Sequence, residues 1–255
     1  MSMGRETLQS VERTFQVMEL LAERGAMGVR ELSQETDFHT TVVHRILGTL
    51  TELGYASQER DGKYYLTYKI LAMGNQIQMR NDVAQLVQPF LKELSEQCRE
   101  TAHFVEQAGT NIRYLGKVTP TANMFATGSY VGMELPLAGT AAGKAILAKL
   151  PLAEVEDIWD KSQIVRYTPN TICTKERLLE EMKEIRNTGF AYDREEREMG
   201  LICVGTAILD YQGISRYAIS ISGPVARMQG ERLDEIRKNM EDARCKIEGI
   251  VGKRS

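Results

Sequence analysis

Cysteine is sparse and scattered in this chain. Cys98, Cys173, Cys203 and Cys245 form no CxxC pair, which excludes a dense disulfide framework and a zinc site legible from spacing. They read as reduced thiols of a reducing compartment. The three histidines, His39, His44 and His103, make no HxxxH or HExxH pattern, so no metal site and no cofactor is expected. Long apolar runs are also missing. The most apolar stretch, Gly200 to Leu209, is far shorter than the ~20 residues of a membrane-spanning helix. The opening MSMGRETLQSVERTF holds no apolar signal-peptide core, and a cytoplasmic protein with no membrane partner is expected. Repeats and low-complexity tracts are absent. Neither sign of charge dominates: 32 Lys and Arg against 35 Asp and Glu give −3. Residues 1–80 carry nine basic and ten acidic side chains. The basic footprint usual in nucleic-acid binding is therefore lacking overall, and any such surface must be a local arrangement.

What is present is an ordinary globular composition, 42% hydrophobic and 26% charged over 255 residues, enough for two domains. The first segment reads as three short helices and a hairpin. Helix one carries Val11, Phe15, Met18 and Ala22 on one stripe with Leu21 beside it, Ser10 as N-cap and Gly25 after its last turn. Helix two spans about 29–36 and buries Val29 and Leu32. Helix three runs from about Thr40 to Leu53, with Val43, Ile46, Leu47, Leu50 and Leu53 inward and Gly54 past its end. Asp61-Gly62 between two strand-like runs is a strong hairpin signal. Helix, helix, helix, hairpin is the winged helix-turn-helix order. These readings predict a winged helix-turn-helix over 1–66, a linker helix over 67–82 and a second domain over 83–255. Asp82 is a candidate cap for the next helix, in which Pro89 marks a kink or a new start. Strands are expected at 101–106, 112–118, 202–209 and 216–222, and helices at 140–150 (closed by Pro151), at 175–187 and at the C-terminus. The class is α+β, with helices packed on an antiparallel sheet.

Four segments carry candidate chemistry. With Val43, Leu47 and Leu50 inward, helix three presents Thr40, Thr41, His44, Arg45 and Thr49 outward. Hydroxyls and an arginine there suit a DNA major groove. Arg13 is placed to reach the DNA backbone, and Arg60 and Lys63 flank the wing tip. A solvated face, or a winged helix that binds protein, is the alternative. Second, Gly139-Thr140-Ala141-Ala142-Gly143-Lys144 only looks like a P-loop. Ala138 stands where the motif needs Gly, and Ala145 where it needs a hydroxyl. Small residues entering a helix either offer amides to an anion or let helix and sheet pack closely. Third, the acidic loop Asp193–Glu198 runs into an apolar strand, and its Glu195-Glu196 pair fits a solvated or salt-bridged loop better than paired catalytic carboxylates. Fourth, alternation puts Ser220 and Ser222 on one strand face, where they need a ligand or neighbouring backbone as partner. No GxSxG occurs and Cys203 has no nearby histidine in sequence, so an enzyme is not expected.

Together these segments resemble the IclR family of bacterial transcriptional regulators, over about residues 8–250. The matching strings are Ser10-Val11-x-Arg13, Glu31-Leu32-Ser33 and Val43-His44-Arg45-Ile46-Leu47 through Gly54-Tyr55. Downstream come Leu135-Pro136-Leu137 through Gly143-Lys144-Ala145, Gly189-Phe190-Ala191 through Glu195-Glu196, Gly200-Leu201-x-Cys203-Val204, and Ala218 through Pro224. The resemblance implies a GAF/PAS-like C-terminal domain that binds a small effector, often a carboxylic or sugar acid. It implies operator DNA as partner, repression as the usual mode, and homodimers paired through the DNA-binding domains, often as dimers of dimers. It places the effector on the amides of Ala141 and Ala142, on Asp193, Cys203, Ser220 and Ser222, and against an apolar wall of Met124, Leu135 and Leu201. The chain departs from the family at Thr40-Thr41-Val42, where Lys-Ser-Thr is frequent, and at Gly139-Thr140, where a small residue and Ser are usual.

Overall fold

The computed structural model describes residues 7–79, 82–120, 127–210 and 212–251. The chain divides into two compact units, Met1–Asn81 and Asp82–Ser255.

In the first unit, α1 (Gln9–Arg24), α2 (Val29–Thr36) and α3 (Thr40–Glu52) precede a hairpin of β1 (Ala56–Gln58) and β2 (Tyr64–Leu66), and α4 (Lys69–Met79) follows. The hairpin pairs Ala56 with Leu66 and Gln58 with Tyr64. Gly62, at φ +90°, makes its turn, and the Lys63 amide donates to Asp61 Oδ1 at 3.1 Å. The core is Val17, Leu21, Leu32, Val43, Ile46, Leu47, Leu50, Ala56 and Tyr64. Three expectations fail here. The buried stripe of α1 is Val17 and Leu21, while Val11 and Phe15 are 46% and 56% exposed. Helix one has apolar residues on two stripes about a third of a turn apart at 3.6 residues per turn; periodicity does not say which of them meets α2 and α3. Its N-cap is Leu8, without a side-chain cap, rather than Ser10. Leu53 is likewise exposed, because α3 ends one residue earlier and Gly54 turns the chain at φ +75°. The start of α4 is pinned to that turn. Thr67 Oγ1 donates to the Gly54 carbonyl at 2.6 Å, and Lys69 Nζ to the Leu53 carbonyl at 2.6 Å.

The second unit opens with α5 (Asp82–Cys98), which continues through Pro89. The proline lies on the exposed side of α5. The capping role expected of the Asp82 side chain lies outside the described residues. Next come β3 (Thr101–Ala108), β4 (Asn111–Val118), β5 (Glu134–Pro136), α6 (Ala141–Leu147), α7 (Leu152–Lys161), α8 (Lys175–Thr188), β6 (Ala191–Arg194), β7 (Leu201–Leu209), β8 (Ser215–Pro224) and α9 (Gly230–Val251). The six strands form one antiparallel sheet in the order β5-β4-β3-β8-β7-β6, so the class is α+β. One face (Phe104, Val204, Ile219, Ile221) packs on Val87, Leu91 and Leu94 of α5 and Ile236, Met240 and Ile247 of α9. The other carries Val105, Tyr114 and Ala218 against α6, α7 and α8. Pro151 does more than end a helix. The α6 helix closes at Leu147, and Pro151 caps the start of α7, which the sequence reading did not anticipate.

Candidate ligand cavity and nucleic-acid interface

Strand pairing alone assembles a polar floor on the α6 side of the sheet. Asp193 pairs with Cys203, Cys203 with Ser222, and Ser222 with Thr101. Two residues along, Gly205 pairs with Ser220, Ser220 with His103 and His103 with Lys117. Because side chains alternate along each strand, these two rows share one face. Above them lies a cavity of about 290 Å³, at the lower edge of the roughly 300–1,000 Å³ typical of ligand pockets. Leu135, Ala141, Ala142, Asp193, Leu201, Cys203, Ser220 and Ser222 all line it. Met124 lies outside the described residues.

The small residues at the start of α6 have a packing reason. A Cβ on Gly205 would stand 2.6 Å from the Ala141 carbonyl, and one on Gly143 would stand 2.2 Å from the Leu137 carbonyl oxygen. Helix and sheet meet backbone to backbone. That contact brings the first turn of α6 to the cavity wall, where the leading amides of any helix have no intrahelical acceptor. Thr140 caps α6 by accepting from the Gly143 amide at 3.0 Å. The two readings of this motif, close packing and free amides, therefore coexist in one geometry.

Asp193 is buried, and the Glu196 amide donates to its Oδ1 at 2.8 Å. Burial raises its pKa above the ordinary aspartate value, against the pull of that amide and of Lys144. The Cys203 thiol is pushed up by burial, with Asp193 adding to the shift, and Ser222 Oγ donates to its sulfur at 3.0 Å. Burial thus favours its neutral thiol form. A folded-state carboxyl pKa above the unfolded value means that the folded protein holds the proton more tightly. Stability is then fullest below the unfolded carboxyl range, about pH 4, and declines as pH rises through the folded pKa. Asp193→Asn should therefore raise the melting temperature at pH 7 and flatten its fall as pH rises above the ordinary carboxylate range, measured by circular dichroism. A lower melting temperature with an unchanged pH slope would count against this.

Several lining residues were invisible to sequence reasoning. His103 is buried, with Nε2 2.8 Å from Ser129 Oγ and its ring edge-on to Tyr114 at 5.2 Å. Burial, and secondarily the Lys117 charge, push its pKa down to about 3, so it is neutral. Arg197, stacked over the Tyr167 ring at 4.5 Å, also lines the cavity. No local motif marks these side chains; strand register brings in His103, and the turn after β6 brings in Arg197. Glu196 meets the salt-bridged alternative expected of the acidic loop, not the solvated one. It is buried and ion-paired, 2.7 Å from Lys144 Nζ.

On the first unit, Thr40, Thr41, His44, Arg45 and Thr49 are all exposed on one side of α3. Two hydroxyls are engaged locally: Thr41 Oγ1 lies 2.9 Å from His39 Nδ1, and Thr49 Oγ1 donates to the Arg45 carbonyl at 2.9 Å. Arg13 lies over the Phe38 ring at 5.3 Å and shares a surface concavity with Arg45 and Thr49. Arg60 is exposed and Lys63 half-buried on either side of the wing turn.

A helix-turn-helix unit joined in one chain to a unit with a ligand-sized cavity is the construction of a transcriptional regulator. Two family models match: the IclR helix-turn-helix domain over residues 10–60, and the bacterial transcriptional regulator IclR C-terminal domain over residues 76–248. The chain belongs to the IclR family of transcriptional regulators. It is 32% identical over 248 residues to the HTH-type transcriptional regulator KdgR of Escherichia coli, covering 97% of this chain and 94% of that one. It is 28% identical over 232 residues to the transcriptional repressor IclR of the same organism, covering 89% and 84%. The crystal structure of the Thermotoga maritima IclR superposes with a TM-score of 0.82 at 26% identity, covering 96% and 100%. Among the described residues, no helix is long and apolar enough to cross a membrane.

Proposed function

We propose that this regulator binds operator DNA through α3 and the wing, and that a small organic acid held in the sheet-and-α6 cavity controls that binding. What carries the effector half of the reading is convergence. Eight residues drawn from five separate stretches of sequence line one cavity, mixing amides, hydroxyls, a carboxyl and apolar walls as ligand sites do. The ligand is bound without turnover. Its action requires it to prefer one arrangement of the protein over another, and α4, pinned at the base of the wing, is the lever. Release of a repressor from its operator in the bacterial cytoplasm is the mode we favour. The exposed apolar residues Leu8, Val11 and Phe15 of the first unit support pairing of two chains through their DNA-binding units, with a dimer of dimers built on that pair.

A thermal-shift screen against small carboxylates, sugar acids and aromatic acids tests the effector half. A ligand at 100 times its Kd adds about 2.7 kcal/mol to the unit it binds. The shift should vanish in Ser220→Ala/Ser222→Ala, whose own melting temperature stays near wild type. A shift that persists in the double variant would place the ligand elsewhere.

A further inference from the structure

We infer that Lys144 is a positioning residue for the cavity: two buried ion pairs let it tie the helix that opens on the cavity to the turn that holds Asp193 and Arg197. The inference rests on the effector reading of that cavity. Lys144 is completely buried, with Nζ 2.8 Å from Glu181 Oε1 on α8 and 2.7 Å from Glu196 Oε1. Such an arrangement is a poor source of stability, because apolar residues of similar volume often serve as well or better. Its geometry points to placement instead. Lys144 sits one turn along from Ala141, which lines the cavity. Glu196 has its own amide on Asp193 and takes the Arg194 amide on Oε1 at 3.3 Å.

The turn it holds is strained and otherwise over-determined. Glu195 sits at φ +60°, a left-handed conformation that is strained for a side-chain-bearing residue and persists only where the surroundings impose it. Thr168 Oγ1 donates to the Glu195 carbonyl at 2.6 Å, and Thr171 Oγ1 to the Glu196 carbonyl at 2.6 Å. Glu196 Oε2 is buried without a hydrogen-bond partner among the described residues. One ammonium thus faces two carboxylates directly and Asp193 close by, and it supports the ionised form of Asp193. Loss of Lys144 would free the α6 end and the 194–197 turn at once, and both are walls of the cavity.

Cys203 reports on those walls without any effector, since it lines the cavity and pairs with Asp193 across β6 and β7. Cys98, buried in the core on the other face of the sheet, is the internal control. Full-length protein would be treated with iodoacetamide and each cysteine followed by peptide mass mapping. Lys144→Met/Glu181→Leu/Glu196→Leu removes the charges together and so avoids stranding one. It should melt cooperatively near the wild-type temperature, with Cys203 alkylated at least ~10-fold faster and Cys98 unchanged. Equal Cys203 rates in a folded variant would overturn the inference. So would a rise at both cysteines together, the mark of a merely structural role. Should the triple variant not fold, Glu196→Gln provides the same comparison: faster Cys203 with constant Cys98 supports the clamp, and an unchanged rate refutes it. Because no effector enters, a flat ligand screen and a failed clamp are separate results.

Discussion

Gly205→Ala should cost the C-terminal unit about 3 kcal/mol or more, the upper end for overpacking a core. The reason is the identity of the neighbours. The added Cβ would stand 2.6 Å from the carbonyl carbon and oxygen of Ala141 and 2.7 Å from the Ala142 nitrogen. These are backbone atoms of a helix, with no side chain to swing aside, so α6 must move as a body. With roughly 2–4 °C lost per kcal/mol at this size, the melting temperature should fall by about 6–12 °C. The displaced atoms are also the cavity wall, so any ligand found by screening should lose affinity in whatever fraction remains folded. Gly249→Ala on α9, where a Cβ meets nothing within 4 Å, is the control. It should be neutral or stabilise by up to about 1 kcal/mol, since alanine is the better helix former. Similar melting temperatures for the two variants would show that α6 and β7 are not in backbone contact.

The same contact shows what a sequence discloses and what it withholds. The hairpin at Asp61-Gly62, α8 ending at Gly189, and the shared face of Ser220 and Ser222 follow from local rules of turn chemistry and alternation, and all were legible. The partner of a small residue is not local. Gly205 and Ala141 are 64 positions apart, and nothing in either segment says that they touch. Lys144 illustrates the limit most sharply. Within a failed P-loop motif it has no assigned role, and Glu196 within an alternating charge run reads as solvated or salt-bridged, with no partner named. Each becomes intelligible only when α6, α8 and the turn after β6 are brought together. His103 is similar: its neutrality and its place in the cavity come from β4 and β8 flanking it. The misplaced face of α1 has another origin. Val11 and Phe15 are apolar, yet a single chain gives them no partner, so a reading that assigns every apolar stripe to the chain's own core goes astray there.

Arg45→Ala should weaken binding to operator DNA by about 1–3 kcal/mol, roughly 5- to 150-fold, if the guanidinium reads a base edge. Thr41 and Thr49 have their hydroxyls engaged with His39 and with the helix's own backbone, and Val42 is apolar and half-buried. That leaves Arg45 and His44 as the long side chains on the outward face, and Arg45 alone carries the fixed fork that matches guanine O6 and N7. The first unit is close to neutral overall, so little non-specific attraction exists to mask the loss. Titration of the purified protein against genomic fragments selected for binding measures it. Arg60→Ala at the wing should act differently if it meets phosphate. It should weaken all fragments alike and reduce the salt dependence by about one unit of slope, whereas Arg45→Ala should also relax the sequence preference. Unchanged DNA affinity in Arg45→Ala, in a protein whose melting temperature is intact, would move the winged helix from DNA to a protein partner while leaving the cavity and its effector as they are.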